Sequence, residues 1–369
     1  MKSHLFSPFK LRELTLPNRI VVSPMAQYSA KEGSATDWHF MHLGSLSVSG
    51  AGLLIIEATS MERDARLSPG DLGLWSDENE AALRPIIEFC QKHGSARIGL
   101  QLQHAGRKGS VTLAWERQQD IPKEKDGWTV YSSDKIPYPG RLPPVPLDRE
   151  RMAGLLKSYA QTARRADRLG IDLLEIHSAH GYLLHNFLSP LSNQRTDEYG
   201  GSLEGRIRFV LEVFKTVRDA WPAHKPLGIR ISASDWVEGG WSIADSVVLA
   251  TRLKDLGCDY VTASSGGAVP EQKITVRPGY QVPFADRIRN EAGIPTMAIG
   301  LITQPLQAEE ILAAGQADLI AIGRGMLFNP RWPWSAAAEL GEEATYPPQY
   351  ERAHPSMRRG DFLKPVRQS

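Results

Sequence analysis

Short apolar runs alternate with amphipathic stretches of helical period from about residue 20 to residue 340. Runs such as GLLIIEA and ADLIAIG are apolar nearly throughout, which is typical of parallel strands covered on both faces. This pattern predicts strands at 19–23, 52–58, 97–102, 172–177, 227–232, 259–263, 296–300 and 319–323. It also predicts helices at 77–92, 151–169, 205–221, 243–256, 283–291 and 306–314. Gly170, Gly257 and Gly315 follow three of these helices, at the position where glycine commonly ends a helix.

Eight strand–helix units in a chain of this length indicate an α/β fold, the (β/α)₈ TIM barrel. A doubly wound sheet would require a glycine-rich turn after the first strand. That strand instead runs into SPMAQY, which contains no glycine. We therefore expect a single barrel domain over residues 1–345.

Two segments fall outside the alternation. Residues 105–148 form a charged stretch with several prolines and glycines between the third strand and its helix. In a barrel this is a loop insertion over the carboxyl-terminal face, where lids and substrate loops sit. Residues 346–369 form a polar C-terminal arm without a clear period, and its composition alone favours a disordered tail.

The composition is that of an ordinary globular protein, with 23% charged residues and a formal net charge of +1. It gives no electrostatic reason to expect nucleic acid or an anionic membrane as a partner. The longest apolar run is too short to span a bilayer, and the N-terminus lacks the apolar stretch of a signal peptide. Cys90 and Cys258 are the two cysteines, which fits a reducing compartment and excludes multi-cysteine metal sites. We expect a cytoplasmic protein with no membrane span.

The residues suited to catalysis and ligand binding lie mostly where predicted strands end, the position of active sites in TIM barrels. They are Ser23, Pro24, Met25, Ala58, Gln101, His177, His180, Arg230, Gly300, Gly323 and Arg324. Each is unremarkable by itself, so their shared position is the signal.

His177 and His180 leave several interpretations open. With Glu175 they could ligate a metal ion, they could donate hydrogen bonds to a substrate oxygen, or they could be structural histidines. No HxH or HExxH spacing supports the metal site, and we expect none. Arg230 either forms an interior ion pair with Glu175 or faces a ligand that becomes anionic.

The glycines after the last two strands leave two interpretations as well. Gly300, Gly323 and Arg324 either hold a phosphate, as the loops after strands seven and eight often do, or are turn glycines beside a surface arginine.

Several segments resemble the Old Yellow Enzyme family of flavoproteins, in particular its thermophilic-like or xenobiotic-reductase branch. The most specific is HSAHGYLLHNFLSPLSNQRTDEYGGS at 177–202. The others are NRIVVSPM at 18–25, QLQHAGRK at 101–108, SASDW at 232–236, GYQVPFA at 279–285 and IGRGMLFNP at 322–330. The resemblance extends from about residue 5 to residue 352.

The resemblance implies FMN bound non-covalently at the barrel mouth. Ser23, Pro24, Met25 and Ala58 would line the isoalloxazine ring, and Gln101 would hydrogen-bond its pyrimidine edge. Arg230 would stabilise negative charge on the reduced flavin, and Gly300, Gly323 and Arg324 would hold the phosphate.

The resemblance also implies an NAD(P)H-dependent ene-reductase with ping-pong kinetics. NAD(P)H would reduce the flavin, and hydride from flavin N5 would then pass to the β-carbon of an enone, maleimide or nitroalkene. His177 and His180 would polarise the substrate oxygen, Tyr182 would protonate the α-carbon, and Tyr28 would contact the substrate.

In this branch an arginine of a QYER segment reaches the active site of a neighbouring subunit. Arg352 occupies that position here, which implies a homodimer or homotetramer. The disordered-tail interpretation then applies better to residues after about 355. The sequence departs from the branch at Ala26, where cysteine is usual, at Gln103, where alanine is frequent, and at Gly205, where asparagine is usual. The loss of the cysteine concerns the flavin potential, whereas binding and hydride transfer do not require it.

Two other functions remain in competition. A barrel lyase or metal hydrolase would use the two histidines and Glu175 as ligands, and a ligand-binding protein would lack turnover. The donor set of His177, His180 and Tyr182 argues against the second. A relative of the dienoyl-CoA reductases would carry cysteine clusters that are absent here.

Overall fold

The apolar runs form strands that close into a barrel in the computed structural model, which describes residues 3–354. In chain order the strands are β1 (Phe9–Leu11), β2 (Leu14–Leu16), β3 (Ile20–Val22), β4 (Leu53–Ser60), β5 (Arg97–Gln103), β6 (Tyr131–Ser132), β7 (Val145–Pro146), β8 (Leu173–Ser178), β9 (Leu227–Ser232), β10 (Tyr260–Ser264), β11 (Thr296–Ala298) and β12 (Leu319–Ile322). The barrel consists of β3, β4, β5, β8, β9, β10, β11 and β12 in that order, all parallel, and β12 pairs with β3. All eight predicted strands and the TIM-barrel fold are thus confirmed.

Helices surround the barrel and cover the outward faces of its strands. They are α1 (Asp37–Ser47), α2 (Asp77–His93), α3 (Arg149–Arg168), α4 (Leu183–Leu188), α5 (Leu203–Ala220), α6 (Ile243–Asp255), α7 (Val282–Ala292), α8 (Pro305–Ala313), α9 (Arg324–Phe328) and α10 (Trp332–Leu340). Four of the helices are preceded by an N-cap residue, namely Ser76, Asp148, Ser202 and Ser242. Each of these side chains accepts a hydrogen bond from the backbone N–H of the third residue of its helix.

The prediction missed α1, α4, α9 and α10. In α1 the cause is the pattern itself, because Trp38, Phe40 and Met41 are exposed while His39 is fully buried. A helix whose apolar residues face outward lacks the apolar stripe that identifies a helix in a sequence. The helices α4 and α9 have six and five residues, too few for a period to register.

The barrel interior changes from apolar to polar along the strands. At the amino-terminal end, Leu53, Leu173 and Tyr260 pack together, and the antiparallel hairpin β1–β2 adds Leu11 and Leu16 to the same buried cluster. Side chains alternate along a strand, so the inward positions two and four residues after Leu173 are Glu175 and His177. Polar side chains therefore accumulate inside the barrel at its carboxyl-terminal end.

The segment from 105 to 148 lies between β5 and α3, as expected of an insertion. It contains short 3₁₀ turns and the parallel pair β6–β7. Arg107 ties it to the opposite side of the barrel mouth, because its guanidinium donates to the carbonyls of Pro137 and Ala268.

The first part of the C-terminal arm packs on its own chain. Tyr346 and Tyr350 both contact the ring of Trp334 in α10, with centroid distances of 4.4 and 6.1 Å. A 3₁₀ turn, Pro348–Ala353, follows and leaves Arg352 exposed. Residues 355–369, to which the disordered-tail interpretation applies, lie outside the described part of the chain.

Candidate active site

A cavity of about 340 Å³ opens at the carboxyl-terminal ends of the barrel strands. Ser23, Pro24 and Met25 line it after β3, and Arg230 lines it from β9. His180 contributes from the loop after β8. Gly300 lines it after β11, and Gly323 and Arg324 do so after β12. The cavity thus gathers eight of the residues that the sequence singled out.

The other predicted residues do not line this cavity. The ring of His177 lies 5.0 Å from the rings of both His180 and Tyr182. Ala58 is the one residue of β4 that is not fully buried. Arg352 does not line the cavity of its own chain.

Arg230 is a cation on a barrel strand and has few hydrogen-bond partners among the described residues. Its Nη1 donates to Ser23 Oγ at 3.3 Å, and within residues 3–354 its buried Nε has no hydrogen-bond partner. Burial lowers the pKa of the guanidinium, and the attraction of Glu175 offsets only part of this effect.

The ion pair between Arg230 and Glu175 does not form. Among the described residues, no carboxylate oxygen lies within 4.0 Å of the Arg230 nitrogens. The Glu175 carboxylate instead accepts from Gln101 Nε2 at 2.7 Å and from Thr262 Oγ1 at 2.5 Å. Burial raises the pKa of Glu175, although Arg230 and these two hydrogen bonds act in the opposite direction. The arginine is therefore left to face the cavity.

The two histidines form a directed chain of hydrogen bonds. The backbone N–H of Ala179 donates to His177 Nδ1 at 3.1 Å, so a neutral His177 carries its proton on Nε2. This Nε2 lies 3.2 Å from His180 Nδ1, and His180 Nε2 lies 2.7 Å from Ser264 Oγ. The arrangement assigns an Nε2–H tautomer to both rings, with His177 donating to His180 and His180 donating to Ser264.

Both rings are neutral in the physiological pH range. Burial, followed by repulsion from Arg230, lowers the pKa of each imidazole well below the usual histidine range. Neutral Nε2–H groups can donate hydrogen bonds but do not deliver a proton readily. This favours a polarising role for the pair over a role in general acid catalysis.

The turn that carries His180 is held in an uncommon backbone conformation. His180 has a φ of 59°, and its N–H donates to Ser232 Oγ at 2.9 Å. The next N–H, that of Gly181, donates to His185 Nδ1 at 2.8 Å. His185 is in turn paired through Nε2 with Asp235 at 2.9 Å, and both side chains are fully buried. Surrounding hydrogen bonds thus stabilise a left-handed residue, as is common at functional sites.

Tyr182, whose ring lies 5.0 Å from that of His177, shares a small apolar cluster with Tyr28. Both pack against Leu67, Ala105 and Val111. Burial raises the pKa of both phenols, and the negative charge of Asp71 raises each of them further. Both tyrosines therefore keep their proton at neutral pH.

Lys108 is a half-buried cation at the mouth that the sequence did not single out. Its Nζ donates to the carbonyl oxygens of His180 at 2.8 Å and Gly267 at 2.6 Å. It also lies 4.5 Å from the ring centroid of Tyr138. Burial, together with repulsion from Arg107, lowers the pKa of the ammonium to about 7. The lysine joins the loops after β5, β8 and β10.

The glycine-rich side of the cavity is shaped by close backbone approaches. Gly300 has a φ of 111°, and a Cβ there would lie 3.0 Å from Gln281 Nε2. Gln281 is buried and accepts a hydrogen bond from Ser265 Oγ at 2.6 Å. Helix α9 begins at Arg324, so the first backbone N–H groups of a helix face this region together with a cation, an arrangement that suits an anion.

Sequence reasoning missed several residues that line the cavity, among them five with polar side chains: Ser264, Ser265, Tyr280, Gln281 and Thr303. The serines end the sixth barrel strand and could have been included by the same rule that selected Arg230. Tyr280 and Gln281 lie in a long loop, far along the chain from the end of a strand, so a search of strand ends does not find them.

The metal alternative gains no support. Within residues 3–354, no three His, Cys, Asp or Glu side chains are arranged to hold a metal ion.

In the same part of the chain, no helix is long and apolar enough to cross a membrane.

The sequence matches the model of the NADH:flavin oxidoreductase / NADH oxidase family over residues 4–343. An NADPH dehydrogenase from Geobacillus thermodenitrificans is 45% identical over 355 residues, which cover 95% of this chain and 99% of the relative. An NADPH dehydrogenase from Listeria innocua is 44% identical over 354 residues, with 95% and 99% covered.

Solved structures agree with these matches. Morphinone reductase in complex with tetrahydroNAD has a TM-score of 0.77 and 27% sequence identity, with 96% of this chain and 94% of that chain covered. The old yellow enzyme homologue from Zymomonas mobilis has a TM-score of 0.74 and 25% identity, with 93% and 94% covered.

Proposed function

Because the chain belongs to the Old Yellow Enzyme family of NAD(P)H-dependent FMN oxidoreductases, we propose that it is an ene-reductase acting on enones, maleimides and nitroalkenes. The observation that carries the proposal is the placement of Arg230 and the histidine pair. An interior arginine with an unpartnered Nε and a histidine with a fixed N–H donor line the same cavity. Such a site can stabilise negative charge on a cofactor and on a substrate oxygen.

The residues around the cavity fit FMN. The unpartnered Nε of Arg230 is a donor for a flavin that carries negative charge when reduced. Gly300, Gly323 and Arg324 suit a phosphate, and Pro24 and Met25 offer an apolar wall, to which we assign Ala58 as well. Bound FMN would supply hydride transfer, from NAD(P)H in one half-reaction and to the electron-poor β-carbon of the alkene in the other, which would give ping-pong kinetics.

Ser23 and Gln101 complete the assignment toward the cofactor. Ser23 accepts a hydrogen bond from Arg230 and orients its guanidinium. One N–H of the Gln101 carboxamide is bound to Glu175, which fixes the direction of the group. Its second N–H is available for the pyrimidine edge of a flavin.

His177 and His180 hold and polarise the substrate oxygen. With both rings neutral and protonated on Nε2, a substrate carbonyl or nitro oxygen replaces the internal acceptors of these two N–H groups. Withdrawal of electron density through two hydrogen bonds activates the β-carbon. Tyr182, which keeps its proton at neutral pH, donates it to the α-carbon, and Tyr28 contacts the substrate beside it.

The first test is spectroscopic. The purified protein is expected to be yellow, to bleach when NADPH is added without oxygen, and to recover its flavin absorbance when 2-cyclohexenone follows. Colourless protein that cannot be reconstituted with FMN would remove the assignment altogether. Bleaching without recovery, tested with an enone, a maleimide and a nitroalkene, would contradict the ene-reductase activity alone.

We further infer a homodimer or homotetramer in which Arg352 enters the neighbouring active site. The support is its exposure on a 3₁₀ turn that does not reach the cavity of its own chain. Hybrid oligomers of Arg352→Ala and His177→Ala chains test this. If Arg352 acts on the partner, hybrids regain up to half of the wild-type activity, whereas action within one chain leaves them inactive. A cytoplasmic location stays a prediction from the sequence.

A further inference from the structure

The wall of the cavity formed by Ser23, Pro24 and Met25 is supported from behind by a buried carboxylate. Glu57 lies on β4 at a β-bulge, where the pairing with β5 shifts between Ile56 and Ala58. The bulge places Ala58 opposite Gln101, which faces the interior, and leaves Glu57 on the outer side against α1. Bulges that redirect a side chain in this way are frequent next to active sites.

The carboxylate of Glu57 connects the loop after β3 to α1. Its Oε2 accepts the backbone N–H of Gln27 at 2.8 Å, and its Oε1 lies 3.3 Å from His39 Nε2. His39 is fully buried, and its Nδ1 accepts the backbone N–H of Thr36 at 3.1 Å. The neutral ring therefore carries its proton on Nε2, facing Glu57.

The side chain of Gln27 continues this connection. Its Nε2 donates to the carbonyl of Met25 at 2.8 Å, and its Oε1 accepts from Trp38 Nε1 at 3.0 Å. Two of these contacts thus tie the segment from Met25 to Tyr28 to β4 and α1, and the third lies within the segment. The side chain of Ala26 has no polar atom and adds no hydrogen bond to these contacts.

Glu57 is also close enough to the cavity to act through its charge. Ser23 and Met25 line both the cavity and the small space that Glu57 borders, so they are what separates the carboxylate from a bound ligand. His42 borders the same space but does not neutralise the Glu57 carboxylate, because burial lowers the pKa of the His42 imidazole to about 4. The charge reaches as far as Tyr28, whose pKa it raises.

We propose that Glu57 is a positioning residue for the flavin: it fixes the Met25–Tyr28 segment through the Gln27 N–H, and its buried negative charge lowers the flavin reduction potential. The proposal rests on the binding of FMN in the cavity. Reduction adds electrons to the ligand, so a negative charge behind the wall opposes it, whereas Arg230 on the other side favours it.

The two contributions separate in two variants. Glu57→Gln keeps an oxygen that accepts the Gln27 N–H but removes the charge. We expect the equilibrium constant for two-electron reduction to rise about tenfold, equal to about +30 mV, with FMN affinity near the wild-type value. Glu57→Leu removes the acceptor as well, and FMN affinity is then expected to fall about tenfold for the loss of one buried hydrogen bond.

Glu80→Gln is the matched control. Glu80 is another buried carboxylate, but it lies on α2 and pairs with Arg165 and Arg168. Its replacement should leave the potential unchanged. The readouts are the midpoint potential by redox-dye titration and FMN affinity by fluorescence quenching on the full-length protein.

An unchanged potential in Glu57→Gln, or a shift shared with Glu80→Gln, overturns the proposal. If Glu57→Leu fails to fold, the comparison of the two glutamine variants still decides it. Failure of the wild-type chain to bind FMN is a different result, which refutes the proposed function rather than the role of Glu57.

Discussion

Replacing Arg230 with methionine is expected to make the FMN-free protein more stable and to weaken FMN binding. The side chain makes a single long hydrogen bond to Ser23, its Nε is unpartnered among residues 3–354, and burial lowers its pKa. A cation in this position opposes folding of the protein without ligand. The same unpartnered donor becomes favourable only when an anionic or electron-rich group fills the cavity.

The magnitude follows from these contacts. Replacing buried ion pairs with apolar side chains of similar volume is often neutral or stabilises a protein by about 1–4 kcal/mol, and Arg230 lacks even the paired carboxylate. Because Arg230 is only partly buried and is attracted by Glu175, about 1 kcal/mol is the appropriate value here. For a chain of 369 residues this corresponds to a rise of about 1 °C in Tm. Loss of a charge-assisted hydrogen bond to FMN, about 1.5–3 kcal/mol, weakens binding about 10- to 150-fold.

Scanning calorimetry with and without FMN measures both effects. The apoprotein of Arg230→Met should melt about 1 °C above the wild type, whereas the stabilisation by added FMN should shrink by about 2 kcal/mol at equal ligand concentration. Arg230→Lys, which keeps the charge, should not gain stability. A lower Tm of the Arg230→Met apoprotein would refute the reasoning, because it would mean that the arginine stabilises the fold by itself.

Three further predictions address the substrate side of the cavity. Replacement of both His177 and His180 by alanine should weaken the binding of a phenol, used as a substrate-site ligand, about 100-fold, because two hydrogen bonds are lost. FMN binding should be unchanged. Loss of FMN in an absorbance titration would show that the two histidines are not substrate donors. Tyr182→Phe should slow alkene reduction about 10²- to 10⁴-fold in stopped-flow experiments and leave reduction by NADPH unchanged; equal slowing of both half-reactions would contradict its role as proton donor. Lys108 has a pKa of about 7 in the folded protein and 10.5 as its ordinary value, so the unfolded chain binds more protons between these values and stability should rise with pH in that range. Relative to Lys108→Met, the wild type should therefore gain unfolding free energy from pH 7 to pH 10 and show no change below pH 6; a parallel pH dependence of the two proteins would contradict this.

The barrel could be predicted because its strands are covered on both faces and read as apolar runs. The ends of the runs were less exact. The last strands were expected at 296–300 and 319–323, but pairing stops at Ala298 and Ile322. The remaining residues, Ile299, Gly300 and Gly323, leave the sheet and line the cavity. A strand-end rule therefore located the site well, since the same residues that break the ladder shape the ligand pocket.

Residues whose placement depends on irregular backbone could not be predicted. Strict alternation along β4 would point Ile55 and Glu57 into the barrel together, and the bulge cancels this for Glu57 alone. Lys108 was also beyond prediction, since its two acceptors are backbone carbonyls on other loops. Neither carbonyl has a side-chain signature in the sequence.

Two departures from the family pattern acquire a physical meaning from the structure. A Cβ on Gly205 would lie 2.2 Å from the carbonyl oxygen of Gly200, so this chain has no room for a side chain there. Gln103 is buried, and its Nε2 lies 3.4 Å from Asp71, a carboxylate that also accepts the N–H groups of Leu67 and Ser68.

An alanine at position 103 could not make this contact with Asp71. Gln103 therefore links β5 to the loop whose Leu67 packs against Tyr28 and Tyr182. Burial raises the pKa of Asp71 to about 6, which brings its titration close to neutral pH beside the expected proton donor. The departure at Gln103 thus acts on the tyrosine side of the cavity, while the departure at Ala26 lies in the Met25–Tyr28 segment that Glu57 holds through the Gln27 N–H. The two sides are not independent, because Tyr28 ends the Met25–Tyr28 segment and packs against Leu67, and the charge of Glu57 also raises the pKa of Asp71.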